Sequence, residues 1–206
     1  MTKTKIDTNT FDRKDMYARF MNYSDPIGTI TATVDITKLV RLKRKGHKLN
    51  ALLNYCILKA ANRIKEFHYA QESDGLYYYD KITMMGVVFG KDGNLYLSCW
   101  DYFDNFKDFE ENYIKNNKEV YETNTPKTYK DTAVLSSSAF VQYPLDSAII
   151  NMGKEITFCF FTWGKYKKGY LRYKQTISLR FHHAFFDGGH IGTFFTYLQE
   201  EINKIK

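Results

Sequence analysis

Proline, cysteine and tryptophan are scarce in this chain of 206 residues, which holds three, three and two of them. With so little proline, only Pro26, Pro126 and Pro144 impose fixed breaks on helices and strands. The cysteines, Cys56, Cys99 and Cys159, are odd in number, widely spaced and set among apolar residues. They offer neither a disulfide framework nor a zinc-ligand spacing, and they read as reduced core thiols of a cytoplasmic protein. No apolar run approaches the length of a bilayer crossing, and residues 1–15 are polar without the pattern of a signal peptide, so no membrane partner is expected. Internal repeats and low-complexity segments are absent as well, which argues against a solenoid or a disordered linker.

What is present is ring and charge. Aromatic residues make up 17%, with 17 Tyr and 16 Phe, too many for a disordered chain and suited to a packed core with an aromatic pocket. The length fits one domain, 1–206, around one substantial core. A formal charge of +7 raises the question of an anionic partner. Residues 38–48 carry the densest positive charge and read first as a solvated face. Nucleic-acid binding would want aromatics interleaved with the cations for stacking, and between Val40 and Ala51 there are none. Nucleic acid is therefore not an expected partner, while a place near an anionic cofactor stays open.

Taken in order, the chain alternates helix and strand signals. A short helix is expected over 13–22, and a Thr-, Ile- and Val-rich strand over 29–34. A helical turn follows, capped by Asp35. Leu49, Leu52, Leu53, Cys56, Ile57, Ala60 and Ile64 mark an amphipathic helix ending near residue 65. Strands are expected over 76–79, 84–89 and 95–100, the last two a hairpin about the turn at 91–94. An aromatic and acidic helix over 103–121 turns Phe106, Phe109, Tyr113 and Val120 inward, and 122–132 is a loop. Residues 134–141 form a strand bearing Ser136, Ser137 and Ser138, none of them in a nucleophile elbow. A buried central strand is expected over 155–164.

The densest chemistry lies at 180–190, Arg-Phe-His-His-Ala-Phe-Phe-Asp-Gly-Gly-His. Over 176–183, Ile177, Leu179, Phe181 and His183 share one parity, while Ser178, Arg180 and His182 share the other. That alternation predicts a half-buried strand with His183 on its apolar face. An imidazole in apolar surroundings is kept neutral and can act as a general base. A core histidine satisfied by a carbonyl is the plainer reading, weakened here by Asp187 and two glycines beside it. Metal ligation by His182, His183, Asp187 and His190 is disfavoured, because adjacent strand residues diverge to opposite faces. Downstream, Ile191, Phe194, Phe195, Leu198 and Ile202 recur at helical spacing.

The motif His182-His183-Ala184-Phe185-Phe186-Asp187-Gly188 resembles the H-H-x-x-x-D-G of the chloramphenicol acetyltransferase family. Phe11-Asp12-Arg13 is similar to its W-x-R, 34–37 to its V-D-I-T, and 160–166 to its F-T-M-G-K-Y, so the resemblance spans essentially the whole length. It implies a two-layer α/β sandwich, a mostly antiparallel sheet packed against helices, assembled as a homotrimer with active sites between subunits. It also implies a transferase that moves an acetyl group from acetyl-CoA, with no metal, to a hydroxyl of a small acceptor, chloramphenicol above all, which is antibiotic resistance. By the same resemblance His183 is the general base, and Ser136, four residues before Phe140, donates to the oxyanion. Asp187 and Arg13 form an ion pair that fixes the histidine loop, and Thr162 holds a water. Tyr166 and Phe140 line the CoA site.

The pattern departs in three places. Arg19 and Phe20 stand at the family's acceptor-pocket aromatics, so a cation replaces one ring. Residues 89–96 differ from the family segment F-H-x-E-T-E-T-F, and 136–140 from S-x-x-P-W. Transfer to another alcohol or thiol, a dihydrolipoyl-type transacylase, and a non-catalytic CoA- or drug-binding homologue are the alternatives. Retention of a base and an oxyanion donor together speaks against the last.

Overall fold

The computed structural model of the chain describes residues 3–206. In order come β1 (Lys3–Lys5), α1 (Lys14–Met21), β2 (Ile27–Asp35), α2 (Thr37–Arg44) and α3 (Leu49–Ala61), then a 3-10 turn at Lys65–His68. β3 (Tyr69–Glu72), β4 (Gly75–Tyr79), β5 (Ile82–Phe89), β6 (Leu95–Asp101) and α4 (Phe106–Thr123) follow. β7 (Ala133–Phe140), β8 (Phe160–Gly164), β9 (Lys167–Lys168), β10 (Tyr173–His182) and α5 (Gly188–Lys204) complete the chain. The large sheet runs β2-β10-β8-β7-β5-β6, with β9 paired to the start of β10, and β1-β4-β3 form a small second sheet. Only β7 pairs in parallel, with β5 and with β8; the other ladders are antiparallel. Most elements agree with the sequence periodicity, β8 and α3 being shorter than expected, and the fold is a mixed α/β layer structure.

One face of the sheet is hydrocarbon. Ile177, Leu179 and Phe181 of β10, Phe161 of β8 and Leu135 of β7 are buried there. Leu52, Leu53 and Ile57 of α3, Phe106 and Phe109 of α4, and Phe194 and Leu198 of α5 join the same continuous core. Burying a large apolar side chain contributes about 1.5–3 kcal/mol, so this layer supplies most of the driving force. Asp35 stands one residue before the N-cap of α2, which is Ile36 and makes no side-chain cap; Asp35 Oδ1 accepts instead from the backbone N–H of Thr37, the first helical residue, at 2.9 Å and from its hydroxyl at 2.6 Å.

The opposite face differs from the expected half-solvated one. On β10 not only the apolar parity is buried: Ser178, Arg180 and His182 are 4%, 1% and 1% exposed. Over Ser178 and Arg180 the cover is a strap, residues 141–159, without regular secondary structure. Arg180 donates from Nη1 to the carbonyls of Ile156 (2.8 Å) and Phe158 (3.4 Å), and from Nη2 to that of Gly153 (2.6 Å). Ser178 Oγ accepts from the Ala148 N–H at 2.8 Å. The strand expected over 155–164 therefore begins only at Phe160: the Ile156 and Phe158 carbonyls serve a guanidinium, and only that of Cys159, next to the strand, accepts from Ser136 of β7. The α3 helix also stops short of the expected residue 65, at Ala61, before the 3-10 turn.

Gly28 shows how tightly β2 meets β10. A Cβ there would lie 2.4 Å from the Phe181 ring, whose edge meets His183 with centroids 5.1 Å apart. Gly28→Ala should destabilise the fold by about 1–3 kcal/mol through overpacking. Urea unfolding checks this, and an unchanged midpoint would show that Phe181 has room to move.

Candidate active site

Local chemistry shapes the loop after β10. Phe185 and Phe186 both donate their N–H to the His182 carbonyl, at 3.0 and 3.1 Å, which reverses the chain and points it into α5. Asp187 is the N-cap of that helix, accepting from Gly189 N–H at 2.9 Å and His190 N–H at 3.3 Å. His190 completes a capping box, its Nδ1 accepting from the Asp187 N–H at 3.2 Å. Three backbone donors at the start of α5 are thus satisfied.

Arg13, just before α1, reaches this loop across 174 residues of sequence. Its Nη1 donates to Asp187 Oδ2 at 3.0 Å, and its Nη2 approaches the His183 carbonyl at 3.5 Å. Burial raises the Asp187 carboxyl, but donation from Arg13 and from the His190 backbone outweighs it, and the carboxyl sits below its ordinary range. The His183 N–H donates to the Pro26 carbonyl at 2.9 Å. Its ring stacks on Phe20 of α1 with centroids 4.9 Å apart at 23°, and meets the edge of Phe181. His183 therefore sits among aromatic rings, as its parity predicts, and remains half-buried.

His182 is the more deeply buried imidazole of the pair. Burial, then the charges of Arg180 and His183, push it down to about 4. Its Nδ1 accepts from the Ala184 N–H at 3.1 Å, so the neutral ring carries its proton on Nε2. Periodicity missed this because alternation assigns His182 to the polar parity of β10.

Of the other expected residues, Ser136 and Thr162 lie apart from His183. Ser136 is 2% exposed on β7, opposite Phe160 of β8, which is opposite Arg180 of β10. Two strand spacings of about 4.8 Å and three residues of about 3.4 Å rise separate Ser136 from His183 by roughly 14 Å. Ser136 also shares the strap-covered face with Ser138 and Thr162, whereas His183 meets Phe181 of the helix-covered face. Thr162 sits between Ser138 and Ser178 across the sheet, and its buried hydroxyl has no hydrogen-bond partner. Arg19 is exposed on α1, its Nε donating to the Tyr23 hydroxyl at 3.0 Å, and Phe20 is the ring that touches His183.

A cavity of about 530 Å³ opens where β8 ends, between α2, α3 and α4. Tyr166, Trp163 and Tyr113 give it aromatic walls, and Lys43, Lys48 and Lys165 give it positive charge. Phe140 is exposed at the end of β7, and its neighbour Val141 is the one that lines the cavity. The lysines were legible only as charge in sequence, since two of them come from the basic run and one from the turn after β8.

A family model described as chloramphenicol acetyltransferase matches residues 1–199. The chain is 32% identical over 203 residues to a chloramphenicol acetyltransferase of Clostridium perfringens, covering 95% of this chain and 92% of the relative. It is 28% identical to one of Campylobacter coli, covering 99% and 100%. Among solved structures, a chloramphenicol acetyltransferase superposes with a TM-score of 0.83 at 22% identity, covering 98% and 100%. The dihydrolipoamide acetyltransferase of Azotobacter vinelandii superposes at 0.68 and 15%, covering 92% and 86%, which is a likeness of fold.

The buried His182 sets a pH dependence. The folded ring titrates at about 4 and the unfolded one at 6.5, so between these values the unfolded chain binds the proton and the folded chain does not. Stability from this group is complete above pH 6.5 and is lost as the pH falls toward 4, a difference of about 3 kcal/mol. His182→Asn keeps an acceptor for the Ala184 N–H and removes the titration. Its urea stability should fall less between pH 7 and pH 4.5 than that of the natural chain, by about 2 kcal/mol. Parallel curves would mean that His182 takes its proton inside the fold.

Proposed function

The chain belongs to the chloramphenicol acetyltransferase family, and on that premise we propose that it transfers the acetyl group of acetyl-CoA to a hydroxyl of chloramphenicol. The observation that carries the site assignment is the clamp: Arg13 holds both the Asp187 carboxylate and the His183 carbonyl, and leaves the His183 ring half-open against Phe20. In this reading His183 takes the proton of the acceptor hydroxyl as its oxygen bonds to the thioester carbon. Ser136 donates a hydrogen bond to the oxyanion that forms. Collapse breaks the carbon–sulfur bond, and His183 returns the proton to the departing thiolate. Arg13 and Asp187 position the loop and move no proton. Thr162, with its unpartnered hydroxyl, suits a water beside the intermediate. Arg19 and Phe20 flank the acceptor.

The cavity is the fitting place for the CoA chain. Its aromatic walls, Tyr166 among them, suit the pantetheine arm, and three lysines suit the phosphates. We place the reaction in the cytoplasm, where free thiols such as the three buried cysteines stay reduced.

A separation of roughly 14 Å keeps Ser136 and His183 of one chain from acting on one carbonyl, which supports a site shared between copies. On the uncovered part of the outer sheet face, Val87, Phe89, Leu95 and Leu97 form an exposed apolar stripe on β5 and β6. A head-to-tail contact that brings the histidine loop of one copy to the serine face of the next closes into a ring, in this family reading a homotrimer.

Thiol release from acetyl-CoA in the presence of chloramphenicol tests the assignment. His183→Ala should abolish it while the fold and assembly persist; a collapse of stability instead would mark a structural histidine. Ser136→Ala should slow turnover by about a hundredfold or more, the worth of one oxyanion donor, with little change in CoA affinity. Refolding the two inactive variants together in equal amounts should restore about a quarter of the sites, because each site then draws His183 and Ser136 from different copies. No recovery would place both groups in one subunit.

A further inference from the structure

The basic run that the sequence presents without a partner acquires one through its place in the fold. Residues 38–48 and 165–174 together hold eleven lysines and arginines and no carboxylate. The two segments lie side by side. The Ile36 N–H donates to the Tyr173 carbonyl at 2.8 Å, and the Tyr173 N–H donates to the Thr37 hydroxyl at 2.9 Å. Arg44 at the end of α2 donates to the Tyr173 hydroxyl at 2.6 Å, and Tyr173 pairs with Lys168 across β9 and β10. Lys43 Nζ stands 5.5 Å from the centre of the Tyr166 ring, so this surface leads to the wall of the cavity. Among the described residues two of these eleven cations are paired with a carboxylate, Arg172 with Asp35 and Lys167 with Asp146.

The cations fall into two groups. Lys43, Lys48 and Lys165 line the cavity, where charge holds a ligand. Arg41, Lys45, Lys168 and Lys174 are exposed outside it, without a carboxylate partner, where charge acts on a ligand still in solution. A concentration of one sign around a cleft raises the rate at which an oppositely charged small molecule arrives by a factor of about 10 to 1,000, with steep loss in salt. We propose that the surface formed by α2 and the β9–β10 edge steers the phosphate-bearing end of the acyl donor to the cavity. The inference rests on the acyl-CoA reading of that cavity and adds to it a capture step carried by residues outside the site. Nucleic acid is the competing polyanion, and the lack of rings between Val40 and Ala51 disfavours it.

Trp163 lines the cavity and reports its occupancy, so association can be followed by stopped-flow fluorescence with CoA itself, independently of turnover. For the natural chain the association rate should fall tenfold or more between about 0.02 and 0.3 M salt, as the screening length shortens through about 10 Å. The fourfold variant Arg41→Gln, Lys45→Gln, Lys168→Gln, Lys174→Gln should associate about fivefold or more slowly at low salt and match the natural chain at high salt, with an unchanged dissociation rate. Pantetheine, which lacks the phosphates, should bind both proteins with rates insensitive to salt. A variant as fast as the natural chain at low salt overturns the proposal. So does a variant whose loss appears in dissociation, since the four residues would then be contacts. An oligonucleotide bound by the natural chain and released by the variant, with CoA rates equal, assigns the surface to nucleic acid instead. Failure of CoA to bind the natural chain, checked by calorimetry, overturns the reading of the cavity; binding at a rate the variant shares overturns the steering alone.

Discussion

The ion pair between Arg13 and Asp187 is the constraint on which the arrangement around His183 depends. Each partner does more than neutralise the other. Asp187 also caps α5, so its carboxylate is fixed by two backbone donors before the arginine arrives. Arg13 also approaches the His183 carbonyl, so the guanidinium spans the loop from its end to its middle. An exposed pair contributes about 0–1 kcal/mol, and this one is better placed because the Arg13 side chain is only 14% exposed and its partner is already held. The pair joins the beginning of the chain to its last helix. Phe20, carried on the same α1 helix, becomes the ring against which His183 stacks. Orientation of one imidazole is therefore a property of the tertiary fold rather than of the strand that carries it.

The two faces of the large sheet obey different physics. Against the helices the contacts are mostly apolar, with Asn117 of α4 accepting from Ser98 and Trp100, and stability is spread over many side chains. On the other face the buried groups are Ser178, Arg180, Thr162 and His182, and each must find a partner or lose solvation without return. Arg180 finds three carbonyls, Ser178 finds the strap backbone, and His182 gives up its charge. Thr162 keeps an unanswered hydroxyl there. Polar strain of this kind gathers where a surface serves more than packing, and this is the face that also bears Ser136 and the apolar stripe of the β5–β6 hairpin.

Much of this was legible in the sequence, and the reasons are particular. α3, α4 and α5 announce themselves because one stripe of each is buried against hydrocarbon, and period 3.6 records that directly. The β5–β6 hairpin is announced by its turn, and β10 by alternation. His183 and Asp187 stand out through the four-residue spacing that lets one cap a helix just after the other leaves a strand. Three things were hidden. The burial of Ser178 and Arg180 depends on a strap from a separate stretch of chain, residues 141–159. The distance of Ser136 from His183 depends on strand order, which periodicity does not encode. The cavity gathers lysines from α2, from the turn before α3 and from the end of β8, and no local pattern links them.

The strap is held through its main chain. Arg180 grips the carbonyls of Gly153, Ile156 and Phe158, and Ser178 grips an amide, so recognition passes over the side chains of the segment being held. Carbonyl and amide are common to every residue save for the missing amide of proline. Much of the information that closes this face is therefore written on β10, while the strap is constrained at particular points, at Gly153 with its φ of +81° and at the buried Cys159. Two proteins could share the closure while differing at most other positions from 141 to 159, and the residue to look for in a distant relative is the arginine.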